Sequence, residues 1–276
     1  MKQFILAAVI FTCALTPFIT AGAEPAGGKA DPKTGILFPA DDKVDTFCDK
    51  VRHQFKFHGY NAWIVVPHHP LPGKQWFAVP EWPTAFTGRN GVKALLDMGY
   101  YMVHVNLFGE YANDKAVDVM HKMYGFLQQN GFQKKGAFIG MSLGGLYTFR
   151  YAQAHPEGVA CIYADAPVCD LNYKSTKRQQ INAAYKTSSK EILAAYSPVN
   201  HPDQIAKAKI PVLMLIGTAD DVIDPKTNGL LWAERFKKAG GQIDVVKRIY
   251  GHHPHGLDNP GRITGFLTYH TLKQNN

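Results

Sequence analysis

Between Val51 and Phe57 the chain alternates, with Val51, Phe55 and Phe57 on one parity and Arg52, Gln54 and Lys56 on the other. That period of two predicts a strand with one wet face. Tyr60 to Val66 predicts its partner, with Gly59 marking a hairpin between them. Pro67 to Lys74 reads as a turn-rich connection and Gln75 to Val79 as a third strand. From there helical and extended patterns take turns. Helices are expected at Gly91 to Met98, Val117 to Gln129, Leu146 to His155, Gly229 to Ala239 and Gly261 to Tyr269. Short apolar runs at Tyr100 to Leu107, Ala137 to Ile139, Val159 to Ala164, Pro211 to Ile216 and Ile243 to Ile249 are the intervening strands. This alternation predicts an α/β fold: a doubly wound, mostly parallel sheet after an antiparallel start. The gap from Pro167 to Ile210 breaks the rhythm. Its polar, helix-prone segments, Lys177 to Tyr185 and Lys190 to Tyr196, read as a helical cap insertion over about residues 168–209.

Chemistry concentrates where one of these strands meets a helix. Ala137 to Ile139 feeds Gly140-Met141-Ser142-Leu143-Gly144, and the helical stretch from Leu146 follows at once. Strand, tight turn and helix are the context in which Gly-x-Ser-x-Gly holds an exposed nucleophilic serine. Such a turn strains the serine backbone, so Gly140 and Gly144 are expected to be the positions that must lack side chains. At the helix N-terminus, unpaired N–H groups favour developing negative charge, which makes the Leu143 amide a candidate oxyanion donor. A plain glycine-rich turn with an idle serine is the alternative.

Serine needs a base, oriented by a third group. In a doubly wound sheet both should hang from strand ends beyond the serine. Val212 to Gly217 runs into Thr218-Ala219-Asp220-Asp221, and the last strand into Gly251-His252-His253-Pro254-His255-Gly256. The expected acid is Asp220, with Asp221 and Asp224 as rivals. The expected base is His252, with His253 and His255 as rivals. Three neighbouring histidines also raise a metal reading, but no His-Glu-x-x-His spacing accompanies them, and neither metal nor cofactor is expected.

The ends of the chain and its charge add compartment. Lys2, an apolar stretch from about Phe4 to Ile19 and Ala21-Gly22-Ala23 read as an export signal over residues 1–23, cleaved before Glu24. A secreted or periplasmic protein follows, with no stable membrane insertion. Residues 24–45, rich in Gly, Pro, Ala and Asp, read as a flexible leader, and 46–276 as one catalytic domain. The formal charge of +8 favours anionic partners such as acidic polysaccharide, and no run of basic and aromatic residues points to nucleic acid. Cys48, Cys161 and Cys169 follow the signal, enough for one disulfide and one thiol in an oxidising compartment.

Gly140-Met141-Ser142-Leu143-Gly144, Gly217-Thr218-Ala219-Asp220 and Gly251-His252, in that order, resemble the nucleophile, acid and histidine motifs of the α/β-hydrolase superfamily, over roughly Val51 to Tyr269. Ala164-Asp165-Ala166-Pro167-Val168-Cys169-Asp170 with the histidine loop is similar to exported bacterial hydrolases of prolyl-oligopeptidase-like and carbohydrate-esterase-like type. The resemblance implies a second oxyanion donor from the loop after the third strand. There Pro80-Glu81-Trp82-Pro83 replaces the usual His-Gly-x-Pro, which assigns the amide of Trp82; Glu81, Trp76 and Trp82 are candidate pocket walls, with plain core packing of the aromatics as the commoner alternative. The implied activity is carboxylic ester hydrolysis through an acyl-enzyme, on small molecules or on acyl or methyl esters of polysaccharide. A small prolyl-oligopeptidase-like peptidase and a non-catalytic binding protein are the alternatives, and a peptidase of that type would be expected to carry a gating domain for which the chain has no room. The acyl and alcohol groups and the oligomeric state are not written in the residues.

Overall fold

The computed structural model describes residues 28–275; the expected export signal and Cys13 lie outside them. Strands β1 (Lys29–Ala30) and β2 (Leu37–Phe38) pair as a small antiparallel ribbon. Strands β3 (Lys43–Phe47), β4 (Lys50–Phe57) and β5 (Tyr60–Val66) follow as an antiparallel meander. Then come β6 (Trp76–Ala78), α1 (Val92–Asp97), β7 (Tyr101–Val105), α2 (Asp114–Gln129), β8 (Gly136–Met141), α3 (Leu143–Ala154) and β9 (Val159–Asp165). Helices α4 (Arg178–Tyr185), α5 (Lys190–Tyr196) and α6 (Pro202–Lys207) precede β10 (Val212–Gly217), α7 (Gly229–Lys238), β11 (Ile243–Arg248) and α8 (Gly261–Asn275).

Nine strands form one sheet in the order β11-β10-β9-β8-β6-β7-β5-β4-β3. Every pair from β11 to β7 is parallel, and β5 joins β7 antiparallel. This is the α/β-hydrolase arrangement. Both faces of the central strands are buried, as helices on both sides of a parallel sheet require. On one face Phe138, Ile162 and Met214 pack with residues of α2, α3 and α7; on the other Ile139, Tyr163 and Leu215 pack with α1 and α8. Because side chains alternate, one strand supplies both cores, so its sequence is apolar throughout.

The stretch read as a flexible leader differs from expectation. Over its described part, Ile36 and Phe38 are buried, and Phe38 stacks on His53 with ring centroids 3.8 Å apart. Asp42 accepts a hydrogen bond from the His53 ring at 2.7 Å, and residues 43–47 extend the sheet as β3. Gly, Pro and Asp punctuate this segment, but two apolar side chains find a place on β4, and tertiary burial overrides composition.

In the insertion, α4 docks on the loop between β7 and α2. Tyr111 donates to Gln180 at 2.8 Å, Tyr185 to the Tyr111 carbonyl at 2.9 Å, and Asn113 to the Ala184 carbonyl at 3.1 Å. Cys48, Cys161 and Cys169 are unpaired, and the last two are fully buried. No helix among the described residues is long and apolar enough to cross a membrane.

Candidate active site

Ser142 sits between β8 and α3 with φ 49° and ψ −118°. A left-handed φ on a non-glycine residue costs about 1–3 kcal/mol and persists only where the surroundings enforce it. They do so here through hydrogen bonds. The Ser142 amide donates to the Asp165 carbonyl at 2.9 Å, and its carbonyl accepts from Gly145 at 3.0 Å and Val168 at 2.9 Å. The glycines that make room are Gly140 and Gly145. A Cβ on Gly140 would lie 2.9 Å from the Gly145 Cα, and one on Gly145 would lie 2.3 Å from Pro167. Gly144, expected to share this role, would meet Glu81 only at 3.4 Å, an ordinary contact. The reason is direction: Gly145 faces the end of β9, whereas Gly144 faces the loop after β6.

Asp220 and His252 come to the serine from the ends of β10 and β11, across β9. The Ser142 hydroxyl lies 3.0 Å from His252 Nε2, and His252 Nδ1 lies 2.8 Å from Asp220 Oδ2. The other Asp220 oxygen accepts from the amides of Val222 and Ile223, each at 2.9 Å. Burial raises the Asp220 carboxyl, but the His252 ring and these amides outweigh it and hold it below its ordinary value. An ionised Asp220 fixes the proton on Nδ1 and leaves the Nε2 lone pair to accept the serine hydroxyl proton. A close approach brings the two loops together. A Cβ on Gly217 would lie 2.3 Å from the Gly251 carbonyl oxygen, so only glycine lets the histidine loop cross the end of β10 there.

The rival residues point elsewhere. Asp221 is exposed, and Asp224 accepts from the Lys226 amide. His253 is exposed and stacks on Phe86, with burial and the neighbouring His252 holding its pKa low. His255 is buried, its Nδ1 3.2 Å from Asp165 Oδ1, close enough for an ion pair but out of line for a hydrogen bond.

Asp165 anchors a buried network that sequence reasoning missed. It accepts from Tyr163 at 2.8 Å, from the Gly256 amide at 2.6 Å and from Arg248 at 2.9 Å. Arg248 in turn donates to the carbonyls of Pro254 at 3.1 Å and Gly256 at 2.6 Å. The loop carrying His252 is therefore tied at both ends to the strands beneath it. The signal available was Asp165 at the end of an apolar strand, a buried charge that must find a partner.

The amide of Leu143 opens α3, where no helical partner accepts it. Trp82 has φ 57°, and its loop packs against the start of α3, with the Glu81 backbone 3.5 Å from where a Gly144 Cβ would stand. Glu81 is 3 % exposed with Oε1 unpartnered. Burial pushes its carboxyl up to about 8, against a weaker lowering by the Tyr147 hydroxyl. Of the three expected pocket walls, Glu81 and Trp82 line an open groove of about 820 Å³ whose other walls come from β3, β4, β5 and β7. Trp76 does not: it is buried under the sheet and donates to the Gln133 carbonyl at 2.8 Å. Among the described residues, ligand-type side chains gather near the C-terminal end of α3, where atoms of His121, His155 and Glu157 lie within 4.8 Å of one another. The two rings stack nearly parallel at 3.7 Å, so their in-plane lone pairs do not converge on one point.

Fold and site define a serine hydrolase of the α/β-hydrolase class. The model of the prolyl oligopeptidase family matches residues 101–267, and the chain belongs to that family. No curated protein matches the sequence. Among solved structures it is similar to a puromycin-hydrolyzing peptidase of Mycobacterium tuberculosis, at 15% identity and TM-score 0.62, over 84% of this chain. It spans only 40% of that peptidase. Dipeptidyl peptidase 4 of Porphyromonas gingivalis gives 15% identity and TM-score 0.59, over 84% of this chain and 35% of that one. An S-formylglutathione hydrolase of Agrobacterium tumefaciens matches over 99% of its own length and 85% of this chain, at 15% identity and TM-score 0.58.

Proposed function

We propose that the protein hydrolyses carboxylic esters through an acyl-enzyme on Ser142. The observation that carries this reading is the unbroken relay from the Ser142 hydroxyl through His252 to Asp220. The serine oxygen attacks the ester carbonyl as His252 takes its proton. Asp220 holds the ring tautomer and stabilises the imidazolium. The amides of Leu143 and Trp82 receive the oxyanion, and each such donor is worth about 2.7–4 kcal/mol of barrier. His252 then returns the proton to the leaving alcohol. Water, activated by the same ring, releases the acid and frees Ser142.

An ester or thioester is favoured because an S-formylglutathione hydrolase matches over nearly its whole length, and its name describes a thioester substrate. The family and the peptidase neighbours favour a second reading, a peptide bond. Export directed by the signal at residues 1–23 and a polysaccharide carrying acyl or methyl esters complete the proposal. The test is hydrolysis of short-chain aryl esters and of peptide nitroanilides by the wild type and by Ser142→Ala. Ester turnover should fall by at least about 10³-fold in the variant. Cleavage of the anilides alone would move the assignment to a peptidase. A wild type as silent as the variant on both would leave a binding protein.

A further inference from the structure

The groove behind the Glu81–Trp82 loop has a composition that the relay does not use. Its walls are the starts of β3 and β5, the end of β4, and the loops leaving β6 and β7. It lies along the edge of the sheet at which the parallel strands end, on the side of the Glu81–Trp82 loop away from the elbow. Its volume falls inside the range of about 300–1,000 Å³ typical of small-molecule sites.

Two aromatic rings form an exposed platform. Trp82 is 43% and Phe108 60% exposed, and the rings meet edge to face at 5.8 Å. Large exposed aromatic surface at the mouth of a cleft marks a binding surface rather than a core. Beside it stand neutral polar groups. Asn61 and Asn106 are exposed, and Glu81 presents a buried, unpartnered carboxyl oxygen. His104 donates from Nδ1 to the Val79 carbonyl at 2.8 Å, and burial holds its pKa down to about 4, so the ring is neutral.

The charges decide the class of ligand. Arg52 is committed, with two hydrogen bonds to Asp45 and its guanidinium 4.8 Å above Trp63. Asp41 contributes one carboxylate, which accepts from the Lys56 backbone amide at 2.9 Å. Lys43 and Lys56 are exposed, and their ammonium groups have no hydrogen bond or ion pair among the described residues. An aromatic platform takes the C–H face of a sugar ring, and carboxamides and a neutral acid pair with hydroxyls. Two free ammonium groups add a preference for carboxylates.

We propose that this groove seats an acidic oligosaccharide, so that the ester presented to Ser142 belongs to a polysaccharide bearing free uronate groups. Trp82 stands on the loop that packs against the start of α3, so the ester-bearing end of the chain points toward that loop and uronates farther along meet Lys56 and Lys43. This rests on the ester-hydrolase reading for the reaction, but binding is measured without it.

The experiment is calorimetric titration of the wild-type protein with hexagalacturonate, which carries no ester, beside a neutral xylo-oligosaccharide and a poly-glutamate peptide. It is repeated at low and high salt and with Lys43→Gln/Lys56→Gln and Lys43→Glu/Lys56→Glu. Hexagalacturonate should bind at least about tenfold more tightly than the neutral sugar, with a salt dependence that the glutamine pair reduces and the glutamate pair abolishes. Thermal melts of both double variants identify any loss of binding due to misfolding, and the milder glutamine pair then carries the test. Equal affinity for the neutral sugar, or full binding by both double variants, overturns the proposal. Tighter binding of poly-glutamate overturns it in favour of an acidic peptide. If the acidic sugar binds and Ser142→Ala changes no ester hydrolysis, the groove stands and the ester reading fails. On acetylated polygalacturonate, acetate release should exceed methanol release from a fully methyl-esterified one, which has no free carboxylate to seat.

Discussion

Two buried titratable side chains on the wall of the groove, Glu81 and His104, carry opposite linkage to pH. Glu81 is raised to about 8 by burial, from an ordinary value of 4.5. Between those values the folded protein holds a proton that the unfolded chain has lost, so its contribution to stability is full below about 4.5 and declines as pH rises toward 8. His104, lowered to about 4 by burial, does the reverse: its contribution is full above the ordinary 6.5 and is lost as pH falls through the folded value. Glu81→Gln keeps the neutral shape and removes the titration. The melting temperature of this variant should therefore gain on the wild type from pH 5 to pH 8, by no more than about 1.4 kcal/mol per pH unit at full linkage. A constant offset across that range would show that Glu81 ionises normally. Residue-scale legibility was uneven for the same physical reason. Ser142, Asp220 and His252 announce themselves by glycine and by position after apolar strands. The proton on Glu81 comes from packing against the start of α3, which no local pattern encodes. Trp76 opens β6 and packs at the start of β8, the end of the strands away from Ser142, and an aromatic beside a short strand looks the same in sequence at either end.

At the scale of elements, the placement of His252, the proposed base, depends on a loop rather than on its own ring. The segment from Ile249 to Pro260 has no regular structure, yet Arg248 holds two of its carbonyls and Asp165 holds the Gly256 amide. Breaking a buried ion pair by removing one partner costs about 3–5 kcal/mol, so Arg248→Met would confound folding with catalysis. Arg248→Lys keeps the charge and loses the fork that reaches Asp165 and the loop together. Under the ester-hydrolase reading, kcat on an aryl ester should fall by up to about 10²-fold with KM nearly unchanged, because a shift of about 1 Å in a reacting group has that effect. A rise in KM with constant kcat would instead place Arg248 in substrate binding. The elements before this loop are legible because β10 is an unbroken apolar run, α7 is periodic and β11 sets apolar Ile243, Val245 and Val246 among polar positions. The pieces at residues 29–47 are not. Two-residue strands are too short for a period, and the burial of Ile36 and Phe38 exists only once β4 is in place.

For the whole molecule, sequence order and spatial order differ: β6 lies between β8 and β7, and β11 at the edge farthest from β3. The pattern gives alternation, and hence a parallel sheet, but not which crossover goes where; that depends on which faces of the helices fit. The same global burial bears on export. Three thiols without a partner sit awkwardly with an oxidising compartment unless they are protected, and here two are. Cys161 and Cys169 are fully buried, and burial raises both thiols, leaving little thiolate to be oxidised. Cys48 is partly exposed, with burial raising its thiol less than theirs. If residues 1–23 direct export, the protein produced from its full sequence in a secreting bacterium should be recovered outside the cytoplasm with an intact mass beginning at Glu24. It should also carry three free thiols. A maleimide should label one of them in the native state and all three only after denaturation, because the buried pair opens only with the core. A product that keeps Met1 and stays in the cytoplasm would remove the export proposal without touching the hydrolase. A disulfide found in the native protein would mean that Cys48 and its buried counterparts come together in a state other than this fold.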